Sequence, residues 1–476
     1  MIFSSYEFIF AFLPMALGSY LVLAKFGLFR LAIASTIIFS ILFYTWWNPP
    51  YIFLIFALII VNFALGVALT SATSYRRAIL TLGIAINLGT LGYFKYTNFL
   101  IGNLNAAAGT SIAFRDIVLP LAISFFTFQK IAFLVDVYRR VVTRISFPDY
   151  CLFVVFFPQL IAGPIVHYRD LQPQFDLIQT RGPDIASIIP GMAFFIIGLF
   201  KKVVIADGVA HYATPIFDSA ANGMTIGTTD AWIAALAYTF QLYFDFSGYT
   251  DMAIGLALMF GINLPFNFNS PYKATSIIEF WRRWHITLSM FLRDYLYIPL
   301  GGNRHGEPRR LVNLMATMLL GGLWHGAGWT FVVWGGMHGL YLVINHLWRS
   351  HSGVARWFEA RGLRPIYVLA STMTTFLAVV VAWVFFRATS FSAAIAILSG
   401  MTGAGGQTMV APGDIDKILI LALLLGIAFT APNSQEIVFG RVLSRYSTIA
   451  FPALGAAAFA ALMLLGAPSE FLYFRF

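Results

Sequence analysis

The sequence contains very little charge for its length. Of 476 residues, 11% are Asp, Glu, Lys or Arg, whereas 59% are hydrophobic. The surface of a water-soluble domain needs a charged fraction of about a quarter or more. The composition therefore excludes an ordinary soluble enzyme and predicts a protein embedded in a membrane.

Cysteine and signals for nucleic-acid binding are also scarce. Cys151 is the only cysteine, so no disulfide can form within the chain. The formal net charge is +10, but membrane proteins collect Lys and Arg in their cytoplasmic loops. No basic stripe or recognition motif accompanies this charge, so we expect no nucleic-acid partner.

Apolar runs recur along the chain at the length that an α-helix needs to cross a bilayer. They predict an all-α polytopic membrane protein with about 11 to 13 transmembrane helices. Runs at 150–163, 252–262 and 311–323 are too short for a full crossing and predict re-entrant, tilted or broken helices. Because no internal repeat is recognisable, we expect residues 1–476 to form a single membrane-embedded domain.

Polar residues interrupt the apolar pattern in the run "QLYFDFSGYTDMAIG". Gln241, Asp245 and Tyr249 recur at every fourth position and would share one face of a helix. A carboxylate inside a bilayer is costly unless it is paired or hydrated. This face therefore predicts either a hydrogen-bonded network that joins helices or the wall of a substrate cavity, and the sequence leaves both open.

The run "TSIIEFWRRWHITLSMFLRDYL" predicts an amphipathic helix at the membrane interface. Glu279 has the spacing of an ion pair with Arg282 or Arg283. His285 is a candidate site residue on this helix. An interfacial helix with snorkelling arginines explains the same pattern without any site.

A third motif, "GGLWHGAGWT", places His325 between glycines and tryptophans. His325 is the only titratable side chain between Arg310 and His338, and an ionisable residue inside a membrane is a functional candidate. A neutral imidazole can take a proton near physiological pH. Glycines let other backbones or a ligand approach closely, and we expect those around this ring to favour access to it. His338 and His346 fit packing or interfacial positions.

Two other uses of these histidines find less support. The histidines lack the H-x-x-x-H and H-E-x-x-H spacings of helical metal sites, so we expect no metal and no bound cofactor. A transporter with a histidine relay is the non-enzyme alternative. It predicts inverted repeats or acidic residues in several spans, and the sequence has neither.

Together these stretches resemble the membrane-bound O-acyltransferase family, in particular its bacterial branch that acylates extracellular polymers. The resemblance includes "ISFFTFQKIAFLVDVYR" at 123–139, "FFPQLIAGPIVHYRDLQPQ" at 156–174 and the block at 241–339. The functional histidines of that family stand in RRWH and WHG contexts, which match His285 and His325. The resemblance implies a central tunnel surrounded by transmembrane, re-entrant and interfacial helices, with the catalytic core at about 241–347.

The resemblance also implies a reaction. An acetyl or other acyl group would move from a cytoplasmic thioester, acetyl-CoA or another donor, for O-acetylation of an extracytoplasmic polysaccharide such as alginate. His325 would act as a general base or form an acyl-histidine. His285 would orient the donor or polarise its carbonyl group. The residues expected to bind substrate are Trp324, Asp245, Tyr249, Arg282 and Arg283.

The implied setting is the bacterial inner membrane, with extracytoplasmic acetyltransferases as partner proteins. The polysaccharide would receive the acyl group directly or through such a partner. D-alanyl transfer, O-acyl transfer to peptidoglycan and acylation of a lysophospholipid are alternatives that use the same base.

Overall fold

The structure, a computed structural model, describes residues 1–46, 49–71, 74–406, 412–440, 443, 445–466 and 472. Every regular element in these ranges is a helix. The prediction of an all-α protein is therefore confirmed. The chain divides into two compact units, of which the first contains Met1–Phe200, Gly248–Pro265 and Tyr446–Pro468 and the second Lys201–Ser247, Phe266–Arg445 and Ser469–Phe476.

The first unit is built mainly from the N-terminal helices. They are α1 (Leu13–Lys25), α2 (Phe29–Thr45), α3 (Tyr51–Ser71), α4 (Arg76–Leu91), α5 (Thr97–Ala108), α6 (Ile123–Tyr138), α7 (Phe147–Val155), α8 (Phe157–Leu160), α9 (Tyr168–Arg181) and α10 (Ile188–Phe200). The last helix, α22 (Ser447–Leu464), also belongs to this unit.

The second unit contains the polar middle of the chain. Its helices are α11 (Asp207–Ala221), α13 (Ile277–Arg283), α14 (Ile286–Leu292), α15 (Gly306–His325), α16 (Trp329–His351), α17 (Val354–Ala360), α18 (Arg364–Arg387), α19 (Phe391–Met401), α20 (Pro412–Thr430) and α21 (Ser434–Val438). The remaining helix, α12 (Thr228–Met259), contributes residues 228–247 to this unit and 248–259 to the first.

Six helical stretches within the described residues are long and apolar enough to cross a membrane. They are Phe8–Lys25, Tyr51–Ser71, Arg76–Ala108, Ile185–Ala221, Arg364–Arg387 and Ser447–Leu464. The polytopic architecture is thereby confirmed. The number is below the expected 11 to 13, because several apolar runs form helices that are too short, such as α7 and α8, or carry many polar residues, such as α12.

The three short runs turn out differently from one another. The run at 150–163 is broken, as predicted, because α7 ends at Val155 and α8 at Leu160. The run at 252–262, in contrast, is the end of α12, a continuous helix of 32 residues. The run at 311–323 lies within α15, which has 20 residues. Polar residues in the middle of α12 and at the start of α15 concealed the full length of these two helices from the hydropathy pattern.

Candidate active site

The chain breaks between α13 and α14, and His285 lies at this break. The predicted single helix is therefore wrong, since two helices of seven residues replace it. Trp284 has an extended backbone (φ −103°, ψ 128°), and His285 adopts the left-handed conformation (φ 42°, ψ 54°). Left-handed residues other than glycine are uncommon and cluster at functional sites. The break leaves the His285 side chain with no exposed surface.

The imidazole of His285 is held by a polar contact on one side. Its Nδ1 lies 3.0 Å from Oδ1 of Asn267. The same oxygen accepts hydrogen bonds from the backbone N–H of Thr287 at 3.2 Å and from its hydroxyl at 3.0 Å. The ring of Phe246 packs edge-on against the imidazole, with centroids 4.7 Å apart. The other nitrogen, Nε2, has no hydrogen-bond partner among the described residues.

His325 is the last residue of α15 and is 4% exposed. Aromatic rings surround its imidazole, with centroids at 4.8 Å for Trp324, 5.0 Å for Trp334 and 5.2 Å for Phe386. The centroids of His325 and His285 are 6.4 Å apart. The structure thus brings the two predicted histidines together in one buried aromatic setting, which we call the histidine centre. We define it by His285, His325 and the rings of Trp324, Trp334 and Phe386.

The glycines around His325 allow other parts of the chain to approach closely. A Cβ added to Gly322 would lie 2.3 Å from the carbonyl oxygen of Phe331, and one added to Gly326 would lie 2.1 Å from the Phe331 ring. A Cβ on Gly335 would lie 2.3 Å from the carbonyl oxygen of Met318. Of the two uses expected from the sequence, close approach of another backbone is therefore seen at Gly322, whereas a side-chain ring packs against Gly326. Gly322 and Gly335 allow α15 and α16 to pack backbone against backbone, and this packing positions His325.

Asp245 takes part in a buried ion-pair cluster. Its Oδ1 lies 2.8 Å from Nζ of Lys202, and the same ammonium lies 2.6 Å from Oδ1 of Asp207. The side chains of Lys202 and Asp245 are each 2% exposed. We call these three residues the ion-pair centre. Of the two interpretations that the sequence left open, this arrangement matches the network that joins helices.

Tyr249, the second candidate on the same face of α12, belongs to the first compact unit. It is 2% exposed, and its ring stacks on that of Phe3 with centroids 4.7 Å apart. Trp324, in contrast, lies beside both histidines, because its ring centroid is 6.3 Å from that of His285. Of these two predicted substrate-binding residues, Trp324 therefore belongs to the histidine centre.

The two candidate arginines differ in their surroundings. Arg283 donates to Glu279 Oε1 from Nη2 at 2.7 Å and from Nε at 3.0 Å, and Nη1 donates to the carbonyl oxygen of Asn269 at 3.2 Å. The predicted ion pair is therefore confirmed, and the partner of Glu279 is Arg283 rather than Arg282. Arg282 is exposed and has no ion-pair partner within the described ranges. Arg282 is therefore the more available of the two for an anionic ligand.

His338 is more deeply buried than its predicted packing role suggests. It has no exposed surface, and neither ring nitrogen has a hydrogen-bond partner in the part of the chain that the structure describes. Its ring contacts those of Trp334 at 4.9 Å, Trp281 at 5.2 Å and Phe280 at 6.1 Å between centroids. The aromatic surroundings agree with packing, although buried imidazoles usually have a polar partner.

Sequence reasoning missed several residues that shape these sites. Lys202 lay within an apolar run, and a lysine in such a run is a signal for a buried partner. Asn267 was not singled out at all. Trp334 and Phe386 carried no signal, since aromatic residues are frequent throughout the chain.

None of the described residues forms a cluster of three or more His, Cys, Asp or Glu side chains that could hold a metal ion.

Comparison with known proteins connects this geometry to a family. The model of the membrane-bound O-acyltransferase family matches residues 114–382, a range that contains both histidines. A peptidoglycan O-acetyltransferase of Helicobacter pylori is 42% identical over 439 residues, which cover 86% of this chain and 81% of the relative. A probable alginate O-acetylase of Azotobacter vinelandii is 41% identical over 434 residues, covering 89% and 82%.

A more distant relative carries a different name. A teichoic acid D-alanyltransferase of Streptococcus thermophilus is 27% identical over 261 residues, which cover 52% of this chain and 61% of the relative. The family model and the two relatives above 40% identity all concern acyl transfer to oxygen. The chain belongs to the membrane-bound O-acyltransferase family and is a multi-pass membrane enzyme.

Proposed function

We propose that this enzyme moves an acetyl group from a cytoplasmic thioester for O-acetylation of a polysaccharide outside the cytoplasm. The observation that carries the proposal is the histidine centre, where two buried imidazoles lie 6.4 Å apart between centroids. At this separation of the rings, an acceptor hydroxyl that is hydrogen-bonded to His325 and a donor group that is hydrogen-bonded to His285 would lie next to each other. A base placed in this way can serve a hydroxyl acceptor.

The proposed reaction is a direct displacement at the thioester. Neutral His325 takes the proton of the acceptor hydroxyl while its oxygen forms a bond to the carbonyl carbon. The bond between carbon and sulfur then breaks, and the proton passes from His325 to the leaving thiolate. General-base catalysis of this kind contributes about 10²–10⁴-fold. An acyl-histidine intermediate would give the same product in two steps.

The predicted substrate-binding residues have different roles in this proposal. Trp324 forms a wall beside both histidines. Arg282 is exposed and suits an anionic group of the donor, such as a phosphate of coenzyme A. Arg283 shares its guanidinium with Glu279. Asp245 and Tyr249 would act by fixing α12, from which Phe246 contacts His285.

The polysaccharide could be alginate or peptidoglycan. Relatives with either name have almost the same identity, 42% for the peptidoglycan enzyme and 41% for the alginate enzyme. This near-equality supports acetylation of a polymer more than it supports either polymer. D-alanyl transfer is the weaker candidate, since its relative matches only 52% of this chain.

We further propose that the enzyme resides in the bacterial inner membrane and uses acetyl-CoA or another acyl thioester. Extracytoplasmic acetyltransferases would act as partners that pass the group to the polymer. In that case the first acceptor is a hydroxyl of the partner protein. Deletion of the partner would then abolish both acetylation of the polymer and cleavage of the thioester, because the displacement needs the hydroxyl of the partner.

The test replaces His325 by alanine and measures O-acetyl groups on both secreted polysaccharide and peptidoglycan. We expect the acetyl content to fall by at least about 10²-fold, because the general base is lost. His305→Ala is the matched control, since His305 is exposed and precedes the opposite end of the same helix, α15. The amount of each variant in the membrane is measured in parallel. Normal acetylation by a fully accumulated His325→Ala variant would overturn the proposal.

A further inference from the structure

The contacts of Asn267 determine which of its amide atoms is oxygen. The backbone N–H of Thr287 lies 3.2 Å from the atom assigned as Oδ1. A backbone N–H can only donate a hydrogen bond, so the atom that faces it must be the acceptor oxygen rather than the NH₂ group. This removes the ambiguity of amide orientation that asparagines usually carry.

The position of this oxygen determines the proton on His285. Its Nδ1 lies 3.0 Å from the same Oδ1. A lone pair on Nδ1 would face a lone pair on the oxygen, so Nδ1 must carry the proton and donate. An imidazole with no exposed surface among aromatic rings is more stable as the neutral ring. In a neutral ring with a proton on Nδ1, Nε2 has a lone pair and can only accept.

The backbone around Asn267 makes this arrangement rigid. The N–H of Ile286 donates to the carbonyl oxygen of Asn267 at 2.9 Å, and the N–H of Asn269 donates to the carbonyl oxygen of Arg283 at 2.9 Å. These two bonds tie the loop before α13 to both sides of the break at His285. Asn267 is itself 1% exposed. The amide therefore cannot turn away without breaking several buried hydrogen bonds.

We propose that Asn267 is a positioning residue that fixes His285 as the tautomer protonated on Nδ1, so that Nε2 accepts a hydrogen bond. This inference rests on the proposed function and makes it more specific. His285 would orient the donor by accepting, through Nε2, a hydrogen bond from an N–H group of that donor, and would not donate to the carbonyl oxygen of the thioester. Polarisation of that carbonyl would then require a different donor. The sequence motif alone left both roles of His285 open.

The first experiment observes the tautomer directly. The protein is labelled with ¹⁵N on its histidine rings and studied by NMR in detergent micelles or nanodiscs. The signals of His285 are those that disappear in His285→Gln. We expect a protonated Nδ1 and an unprotonated Nε2 at neutral pH. A protonated Nε2, in a neutral or a charged ring, would overturn the inference, and this result does not depend on any transferase activity.

The second experiment separates positioning from packing. Asn267→Asp keeps an acceptor oxygen towards Nδ1, whereas Asn267→Leu has a similar size and no acceptor. We expect acyl transfer to fall by about 10²-fold in Asn267→Leu, which is in the range lost with a misaligned acid–base group. Asn267→Asp should retain at least tenfold more acyl-transfer activity than Asn267→Leu. The NMR signals of the leucine variant should show loss of the single tautomer. Equal losses in both variants, with the tautomer unchanged, would indicate a merely structural role and overturn the inference.

The two proposals can fail separately. If wild-type His285 has the expected tautomer but His325→Ala acetylates normally, the proposed function fails and the assignment of Nε2 stands. If the leucine variant does not accumulate, the wild-type NMR experiment still decides the tautomer. Thr287→Val removes only one of the three donors to Oδ1. It should therefore keep the wild-type tautomer, and a change of tautomer would contradict the primary role of Asn267.

Discussion

The second compact unit contains two buried polar centres with opposite properties. In the ion-pair centre, the ammonium of Lys202 lies between the carboxylates of Asp207 and Asp245. In the histidine centre, Nε2 of His285 is buried without a hydrogen-bond partner among the described residues. Both centres involve adjacent positions of α12. Asp245 belongs to the ion-pair centre, and Phe246 contacts His285 of the histidine centre.

This difference separates polar groups that hold helices together from groups that act on a ligand. Inside a membrane a charge is stable only when it is paired, and a cluster of one cation between two anions satisfies this requirement. A buried nitrogen without a partner lowers stability by about 1–3 kcal/mol. We therefore propose that the histidine centre carries the chemistry and that the ion-pair centre carries stability.

The largest expected effect comes from breaking the ion-pair centre. Lys202→Met leaves the carboxylates of Asp207 and Asp245 without their cation. Breaking a buried pair from one side costs about 3–5 kcal/mol, so we expect a large fall in unfolding temperature in detergent and little protein in the membrane. Lys201→Met is the matched control, because Lys201 is adjacent and only half-buried, with a bond to Ser434 at 2.7 Å. Equal stability of the two variants would contradict the assigned role.

The next effect concerns the helix pair that positions His325. In Gly335→Ala the new Cβ would lie 2.3 Å from the carbonyl oxygen of Met318, so α15 and α16 must separate. Overpacking of this kind costs about 1–3 kcal/mol, and we expect acyl transfer to fall because the end of α15 shifts. The neighbouring Gly336→Ala places its Cβ 3.4 Å from the side chain of Leu319, an ordinary contact. Unfolding temperature and acyl transfer should therefore distinguish the two variants, and identical behaviour would refute the role of Gly335.

A smaller effect tests whether every unpartnered histidine is functional. In His338→Phe two buried nitrogens without partners are replaced by an apolar ring. We expect the unfolding free energy to stay the same or to rise by about 1 kcal/mol, because the buried polar atoms are removed, and acyl transfer to be unchanged. His338→Ala removes the same nitrogens but leaves a cavity, so it should be less stable than the wild type. A stable His338→Phe variant without acyl transfer would place His338 in the histidine centre.

These centres also show how far the sequence determined the result. The membrane character followed from composition, and the joint role of His285 and His325 followed from the family resemblance of their motifs. The ion-pair centre could not be predicted in the same way. Lys202 and Asp245 lie far apart in the chain, and the hydrophobic run around Lys202 contains no sign of the helix that it meets.

Predictions from the local sequence failed where contacts with other segments determine the backbone. The break before His285 has no proline or glycine next to it, so the periodicity predicted an uninterrupted helix. It depends instead on Asn267, whose oxygen binds His285 and Thr287 from another segment. The role of Gly326 likewise depends on the ring of Phe331. Helix positions were therefore predictable, whereas the purpose of each glycine and the breaks within helices were not.

The smallest expected effect concerns an ion pair that is partly exposed, in contrast to the ion-pair centre. Glu279 binds Arg283 at 2.7 Å and also accepts from the backbone N–H and the hydroxyl of Thr275. Burial raises the pKa of Glu279, but the hydrogen bonds from Thr275 and Arg283 outweigh it and lower the pKa below its ordinary value of 4.5. A lowered pKa in the folded state means that the ionised carboxylate stabilises the fold at higher pH and that this stabilisation is lost as the pH falls.

Glu279→Gln should therefore reduce the unfolding free energy by less than about 1 kcal/mol at neutral pH, as for other exposed pairs. The difference from the wild type should shrink as the pH falls below the ordinary value of 4.5, and it should disappear below the lowered pKa of the folded protein, where the wild-type carboxyl is also neutral. Unfolding temperatures measured across this range, with Glu359→Gln as a control on the exposed pair with Arg364, would test both statements. A larger loss, or one that does not shrink as the pH falls, would mean that Glu279 behaves like the carboxylates of the ion-pair centre. Exposure would then not be what distinguishes the two kinds of pair.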